Sequence, residues 1–275
     1  MADRKFKLLA FDLDGTLLNS QGQILPNSRE AIQDVLSRGV KVVLVTGRHH
    51  VTTYPYHCEL GLDTPAICCN GTYIMGFQPK KMFYSDPLGQ DESLAILEIA
   101  RKMDMHILIY VRDDMLFELK NAHVRSLQSW GASLPEHLTP SIKHVDDFLK
   151  ALQAAECTFK FVLSHPDQNR FDQAIETIDQ MPGISCVRSW VNRTDVFKSG
   201  NSKGLALLRL ARQWQIAPDE IIAVGDNDND ISMVSSVGLG VAMAGCTEGL
   251  KRVAGSQIGS NDKDSIARLI REYVL

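Results

Sequence analysis

The sequence predicts an α/β protein, built as a Rossmann-like parallel sheet core with an inserted α+β unit. Apolar runs at residues 7–11, 40–45 and 220–225 lack alternation and end in polar residues, which is typical of strands buried on both faces of a parallel sheet. Between residues 86 and 197 the pattern changes to strands joined by short connections and interspersed helices. Such a change indicates a separate α+β unit.

The first part of the chain alternates strands and helices. Residues 7–11 form the opening strand, residues 28–38 have helical spacing with Gly39 as a C-cap, and residues 40–45 form a second strand. A third apolar run, residues 66–69, ends in Asn70. This order predicts right-handed crossovers, and ligands then bind beyond the carboxyl ends of the strands, where Asp12, Thr46 and Asn70 lie.

The inserted unit has its own helices and strands. We expect helices at residues 92–103, 123–130, 146–153 and 170–181, and strands at 107–111, 115–119, 158–163, 186–190 and 195–197. The parallel pattern then resumes with a helix that places Leu205, Leu208 and Ala211 on one face, strands at 220–226, 237–243 and 257–259, and a helix at 264–273. Residues 1–85 and 198–275 are therefore expected to form the core, and residues 86–197 the insertion.

Composition excludes several classes of protein. The 275 residues carry a net charge of −4, so no basic surface favours nucleic acid. No apolar run approaches the ~20 residues that span a membrane, and no signal-type segment follows the N-terminus, so we expect a cytoplasmic protein. The six cysteines show no Cys-x-x-Cys spacing, which favours small buried hydrophobes over a zinc site or disulfides.

Two carboxylates at the end of the first strand form the strongest chemical signal. Asp12 and Asp14 are two residues apart, so they point to the same side of a strand. Two ionised carboxylates repel each other there unless a cation or a shared proton relieves them, which implies a divalent metal. Gly15 permits a sharp turn after them. The alternative is a simple loop after the strand.

A second acidic segment, Asp-Asn-Asp-Asn-Asp at residues 226–230, ends another buried strand. An EF-hand would need glycine and glutamate where Ile231 and Val237 stand. The P-loop motif is absent, and the dinucleotide fingerprint is weak. An acidic surface turn remains the alternative to a site.

These residues together predict a metal and an anion site. Oxygen ligands without a His/Cys cluster favour Mg²⁺ over Zn²⁺, and an anion that needs a cation, a lysine and hydroxyl or amide donors is most economically a phosphate. The candidate metal residues are Asp12, Asp14 and Asp226, and the candidate anion residues are Thr46, Lys203 and Asn229.

Four ordered motifs resemble those of the haloacid dehalogenase (HAD) superfamily, specifically its Cof-like phosphatases with a large C2-type cap. They are Asp12-Leu13-Asp14-Gly15-Thr16, Val45-Thr46-Gly47-Arg48, Ser202-Lys203-Gly204 and Gly225-Asp226-x-x-Asn229-Asp230-x-x-Met233. The resemblance covers the whole chain and implies that residues 86–197 are the cap, which selects the substrate.

The resemblance also implies a role for each site residue. Asp12 is the nucleophile that forms an aspartyl phosphate, and Asp14 protonates the leaving oxygen and then activates water. Mg²⁺ is held by Asp12, Asp226 and the backbone carbonyl of Asp14. Phosphate oxygens are bound by Thr46, Lys203, Asn229 and the amides of Leu13 and Gly47, and Asp230 supports the metal shell or Lys203.

The chain is similar in particular to bacterial pyridoxal-phosphate phosphatases, through residues 46–50, 62–73 and 200–204. Pyridoxal 5′-phosphate is therefore the expected substrate, with sugar phosphates as further candidates. A phosphotransferase or mutase on the same scaffold, and a non-catalytic metabolite-binding protein, are the alternatives. His49 and His50 are open between two interpretations, a contact to the substrate and surface groups at a helix start.

Overall fold

The computed structural model describes residues 6–275, which form two compact units. The first contains the residues up to Arg48 together with Tyr56–Tyr84 and Asn201–Leu275, and the second contains His49–Pro55 and Ser85–Gly200. Every helix within residues 6–275 is too short or too polar to cross a membrane.

Fourteen strands and ten α-helices are described. The strands are β1 (Leu8–Phe11), β2 (Lys41–Leu44), β3 (Ala66–Cys68), β4 (Tyr73–Phe77), β5 (Lys80–Ser85), β6 (His106–Val111), β7 (Met115–Phe117), β8 (Ile142–His144), β9 (Thr158–Ser164), β10 (Ile184–Trp190), β11 (Arg193–Lys198), β12 (Ile221–Gly225), β13 (Leu239–Ala242) and β14 (Ser256–Gln257). The helices are α1 (Pro26–Ser37), α2 (His50–Glu59), α3 (Gln90–Lys102), α4 (Ala122–Ala132), α5 (Phe148–Ala154), α6 (Gln168–Asp179), α7 (Lys203–Gln213), α8 (Ile231–Val234), α9 (Glu248–Val253) and α10 (Ser265–Tyr273).

The central sheet of the first unit is entirely parallel, in the order β14-β13-β12-β1-β2. Leu8 and Ala10 of β1 belong to the apolar cluster that contains residues of α7 and α8. Leu9 and Phe11 point to the other face and are also buried. A strand with both faces covered needs the unbroken apolar run that the sequence shows, so the predicted α/β core is confirmed.

The third apolar run does not extend this sheet as predicted. Instead β3 pairs antiparallel with β4, and β5 follows β4 in a separate three-stranded sheet. A parallel bridge between Val45 and Ile67 connects β3 to the end of β2. The cause is a reversal of the chain at residues 69–71, where three successive residues adopt positive φ, so that β4 returns beside β3.

The predicted apolar face of α7 is right for Ala211, which is buried, and for Leu208, which packs against the core, but it is wrong for Leu205. Leu205 is 58% exposed, whereas Ala206, Leu207 and Leu210 are buried against the sheet. The helix begins at Lys203, with Ser202 as its N-cap. This register points the Lys203 side chain inward.

The second unit contains a six-stranded sheet in the order β10-β11-β9-β6-β7-β8, with α3, α5 and α6 packed against it in one apolar cluster. Strand β8 was not predicted; it pairs parallel to β7. Residues 49–55 belong to this unit although the sequence placed them in the core. His49 Nε2 lies 2.7 Å from the carbonyl oxygen of Val111, and its ring meets Tyr110 edge-on.

Candidate active site

The carboxyl ends of three neighbouring strands carry the candidate site residues. Asp12 follows β1, Thr46 and Gly47 lie just beyond β2, and Asp226 follows β12. Parallel strands bring these ends to one edge of the sheet. All of the predicted site residues lie in the first unit.

Three carboxylates converge at this edge. Oxygens of Asp12, Asp226 and Asp230 all lie within 4.8 Å of one another. The Nζ of Lys203 lies 2.7 Å from Asp12 Oδ1 and 2.6 Å from Asp230 Oδ1. One lysine therefore neutralises only part of the charge of three buried or half-buried aspartates.

The pKa values reflect this surplus of negative charge. Burial, opposed by Lys203 and reinforced by the neighbouring carboxylates, raises the pKa of Asp12 well above its ordinary value. Burial and the charge of Asp230 raise the pKa of Asp226 to about 6. Burial alone would lower the pKa of Lys203, but Asp12 and Asp230 raise it, so the lysine stays charged. Carboxylates whose pKa values are raised in this way would be stabilised by a further positive charge.

Hydrogen bonds fix Asp226 and Asp230 in place. The Thr16 hydroxyl donates to Asp226 Oδ1 at 2.8 Å, and Asp230 Oδ2 accepts from the backbone N–H of Asp226 at 2.9 Å and of Asn227 at 3.1 Å. Gly15 has a φ of +78°, and a Cβ there would collide with the Asp226 carboxylate. Glycine is therefore required at this turn.

The Asp14 carboxylate lies outside the acidic cluster. It forms a two-pronged ion pair with Arg48, with Nε to Oδ2 at 2.7 Å and Nη2 to Oδ1 at 2.6 Å. Burial disfavours the charged form of Arg48, but the neighbouring Asp14 carboxylate favours it more strongly. The pKa of Arg48 is therefore raised. The guanidinium carbon also lies 5.1 Å from the centroid of the Tyr56 ring. The Asp14 backbone, by contrast, directly follows Asp12 and Leu13.

The predicted phosphate-binding residues lie in the segments that follow β1, β2 and β12 and at the start of α7. The Thr46 side chain is buried, and its hydroxyl oxygen accepts from the Arg48 backbone N–H at 3.1 Å. Leu13 is buried beside Asp12. The Asn229 Nδ2 donates to Asn70 Oδ1 at 3.0 Å. Lys203, predicted to bind an anion, here bridges two carboxylates.

Three residues with direct contacts in the site were not among the predicted catalytic, metal or phosphate residues. They are Thr16, Arg48 and Asn70. Each lies within or beside a quoted motif or at a strand end, which was the available signal. Their partners are 210, 34 and 159 positions away, so the pairing itself could not be read from the sequence.

The interpretation of His49 and His50 as surface groups was wrong. His50 does begin α2, but both side chains are buried. Within the second unit, His50 Nε2 lies 3.5 Å from Asp113 Oδ1.

The fold and the site together define a class of protein. It is an α/β protein with an acidic cluster and a buried lysine at the carboxyl edge of a parallel sheet, the edge where such folds bind ligands.

Comparison with known proteins refines this class. Residues 9–270 match the family model of the haloacid dehalogenase-like hydrolases. The chain is 35% identical over 269 residues to pyridoxal phosphate phosphatase YbhA of Escherichia coli, covering 98% of this chain and 99% of that protein. It is 27% identical to the 5-amino-6-(5-phospho-D-ribitylamino)uracil phosphatase YitU of Bacillus subtilis, with 97% of each chain covered.

A solved structure shows the same architecture. A haloacid dehalogenase-like hydrolase from Bacteroides thetaiotaomicron superposes with a TM-score of 0.86 at 26% identity, covering 98% of this chain and 99% of that one. The chain therefore belongs to the haloacid dehalogenase-like hydrolase family and is a phosphatase of that family.

Proposed function

We propose that this protein is a Mg²⁺-dependent phosphatase that hydrolyses small phosphorylated metabolites, pyridoxal 5′-phosphate among them, through an aspartyl phosphate on Asp12. The acidic cluster is the observation that carries the proposal. Three aspartates lie close enough together for a single hard cation to bridge them, and the one lysine among them bonds only Asp12 and Asp230. A purely structural network would be expected to balance its charges.

The residues present fit a magnesium ion. Their donors are oxygens, which Mg²⁺ prefers, and their raised pKa values indicate missing positive charge. Asp12, Asp226 and the backbone carbonyl of Asp14 would hold the ion, and Asp230 would support that shell through Lys203 and the Asp226 amide. When bound, Mg²⁺ reduces the repulsion between the Asp12 carboxylate and the phosphate.

Two aspartates divide the chemistry. Before it acts as an acid, Asp14 leaves its ion pair with Arg48 and takes a proton from solvent. An Asp12 carboxylate oxygen attacks phosphorus and forms an acyl phosphate, while the bond from phosphorus to the ester oxygen breaks and that oxygen takes the proton from Asp14. Asp14, now ionised, takes a proton from water. The resulting hydroxide attacks phosphorus, the bond to Asp12 breaks, and inorganic phosphate leaves. Lys203 orients Asp12 throughout.

Other residues of the first unit bind the phosphate. Thr46, Lys203, Asn229 and the amides of Leu13 and Gly47 would donate to its oxygens. We assign catalysis to the first unit and substrate selection to the inserted cap, residues 86–197. The support is that all of these side chains lie in the first unit.

Pyridoxal 5′-phosphate is the proposed substrate because the relative that is 35% identical over nearly its whole length is named for that activity. The test is phosphate release from a panel of pyridoxal 5′-phosphate, sugar phosphates and p-nitrophenyl phosphate, with Mg²⁺ and with EDTA. We expect Mg²⁺-dependent release, fastest from pyridoxal 5′-phosphate. Transfer to an acceptor without phosphate release would identify a phosphotransferase, and binding without turnover a metabolite-binding protein.

A further inference from the structure

A strained turn lies beside the site and has no role in the chemistry derived above. Cys69, Asn70 and Gly71 follow β3 with φ values of 48°, 58° and 93°. Two successive non-glycine residues in the left-handed region are unusual. Such backbone persists only where its surroundings hold it, and it concentrates at functional sites.

The turn is held by two segments that carry site residues. The Asn70 backbone N–H donates to the Thr46 carbonyl at 3.1 Å, and the Cys69 N–H donates to the Arg48 carbonyl at 3.0 Å. A Cβ at Gly71 would collide with the carbonyl of Ser202, the residue before Lys203. The turn therefore packs against both the segment after β2 and the start of α7.

The Asn70 side chain reaches a third segment. It is 2% exposed, and its Oδ1 accepts one N–H of Asn229 at 3.0 Å. The other end of that amide, Asn229 Oδ1, is buried and accepts no hydrogen bond from residues 6–275. A buried polar atom without a partner is rare and indicates a ligand or an ordered water.

We propose that Asn70 is a positioning residue of the phosphate site, which acts by fixing the side-chain amide of Asn229. With one N–H bound to Asn70, Asn229 directs its second N–H to a phosphate oxygen, and its Oδ1 accepts from water that accompanies the bound anion. The left-handed backbone of the turn places Asn70 Oδ1, the acceptor atom, beside the Asn229 amide. This inference rests on the proposed function, since it assumes that Asn229 binds phosphate.

A double-mutant cycle tests this dependence. Asn70→Gly removes the acceptor while glycine adopts a positive φ readily, and Asn229→Ala removes the amide. The probe is the affinity for inorganic phosphate, measured by calorimetry in Mg²⁺ buffer, beside kcat and KM for p-nitrophenyl phosphate. We expect Asn229→Ala to lower the affinity for phosphate at least about tenfold, and Asn70→Gly to lower that affinity about tenfold.

The decisive result is the double variant. If Asn70 acts through Asn229, adding Asn70→Gly to Asn229→Ala changes phosphate affinity less than about twofold. If the two substitutions instead lower phosphate affinity independently, so that their fold-changes multiply in the double variant, the inference is overturned while the proposed function stands. Wild-type affinity in Asn229→Ala would overturn the inference as well, together with the phosphate role of Asn229. Absence of hydrolysis by the wild type would instead contradict the proposed function, and the binding cycle would still decide the role of Asn70.

A matched control separates relief of backbone strain from loss of the contact. Gln215 is exposed, has a φ of 56° and lies in the same unit. Gln215→Gly relieves similar strain away from the site, so it should leave phosphate affinity unchanged. Equal losses of affinity in Gln215→Gly and Asn70→Gly would show a general backbone effect and overturn the positioning role.

Discussion

Each of the two units has a buried lysine beside aspartates, but the number of aspartates around the lysine differs between the units. Lys203 bridges Asp12 and Asp230 at 2.7 and 2.6 Å, and Asp226 completes that cluster. Lys160 of the second unit pairs with Asp195 at 2.7 Å, and its ammonium lies 4.6 Å from the centroid of the Tyr110 ring. Both lysine side chains are almost fully buried.

The difference separates a site from a structural pair. Within residues 6–275, only the Lys203 cluster brings three acidic groups close enough to share a metal ion. Burial, reinforced by the surplus negative charge, raises the pKa of Asp12 and of Asp226, which makes the metal-free cluster unfavourable until a cation binds. One lysine with one aspartate leaves no such surplus. In this protein, a buried group of charged side chains therefore indicates a functional site only where its positive and negative charges do not balance.

The largest expected effect is on the acidic cluster. Asp12→Asn keeps a hydrogen-bond acceptor for Lys203 but removes the nucleophile, so we expect turnover to fall more than about 1,000-fold. The melting temperature should not decrease, because one of the crowded charges is lost. Phosphate release and thermal unfolding check both parts. A wild-type rate in Asp12→Asn would disprove the nucleophile assignment.

The Lys160–Asp195 pair should instead behave as a stability element. Lys160→Met removes the cation that pairs with the buried Asp195 carboxylate, so we expect the free energy of unfolding to fall by about 3–5 kcal/mol. Adding Asp195→Leu should recover stability to within about 1 kcal/mol of the wild type, because apolar packing replaces the pair. Urea unfolding measures both variants. A double variant as unstable as Lys160→Met would show that the pair has a further role.

Magnesium should stabilise the protein through the first cluster. At a concentration 100 times its dissociation constant, a ligand adds about 2.7 kcal/mol, and Asp226→Asn should abolish that gain. The Asn side chain still accepts from Thr16, so the variant tests charge rather than packing. Thermal unfolding with and without Mg²⁺ measures the effect. Full Mg²⁺ stabilisation of Asp226→Asn would remove Asp226 from the metal site.

The Asp226 carboxylate also makes the stability of the protein depend on pH. The folded-state pKa of Asp226 is about 6, above its ordinary 3.8, so the folded metal-free protein binds more protons than the unfolded chain between these values. The contribution of this group to stability is therefore present at pH 4 and lost as the pH rises through 6. Magnesium competes with that proton, so its stabilisation should weaken as the pH falls through 6. Asp226→Asn should flatten both trends.

The sequence predicted the sheet well because its strands are buried on both faces. Leu8–Phe11 and Ile221–Gly225 are unbroken apolar runs, and their polar ends located the site. It failed where a reversal depends on tertiary contacts: the left-handed residues Cys69 and Asn70 turn β3 away from the parallel sheet. No local propensity identifies two such residues, since only the surrounding carbonyls and side chains hold them.

Side-chain pairing was equally invisible to sequence reasoning. Asp14 and Arg48 stand in two recognised motifs, yet their ion pair requires the ends of β1 and β2 to be adjacent. Similarly, Asp230 was expected to support the metal shell or Lys203, and only the fold shows that its carboxylate lies 2.6 Å from Lys203 Nζ. The motifs identified the participants, and the fold decided which of them meet.

The most direct test of the account is to locate a divalent ion. Manganese, which takes the place of magnesium at oxygen sites and scatters anomalously, should give one strong peak about 2.0–2.3 Å from carboxylate oxygens of both Asp12 and Asp226 in a crystal of the wild type. Such a peak should be absent from Asp226→Asn. An enzyme that hydrolyses phosphate esters fully with no ion bound between these two aspartates would contradict the account.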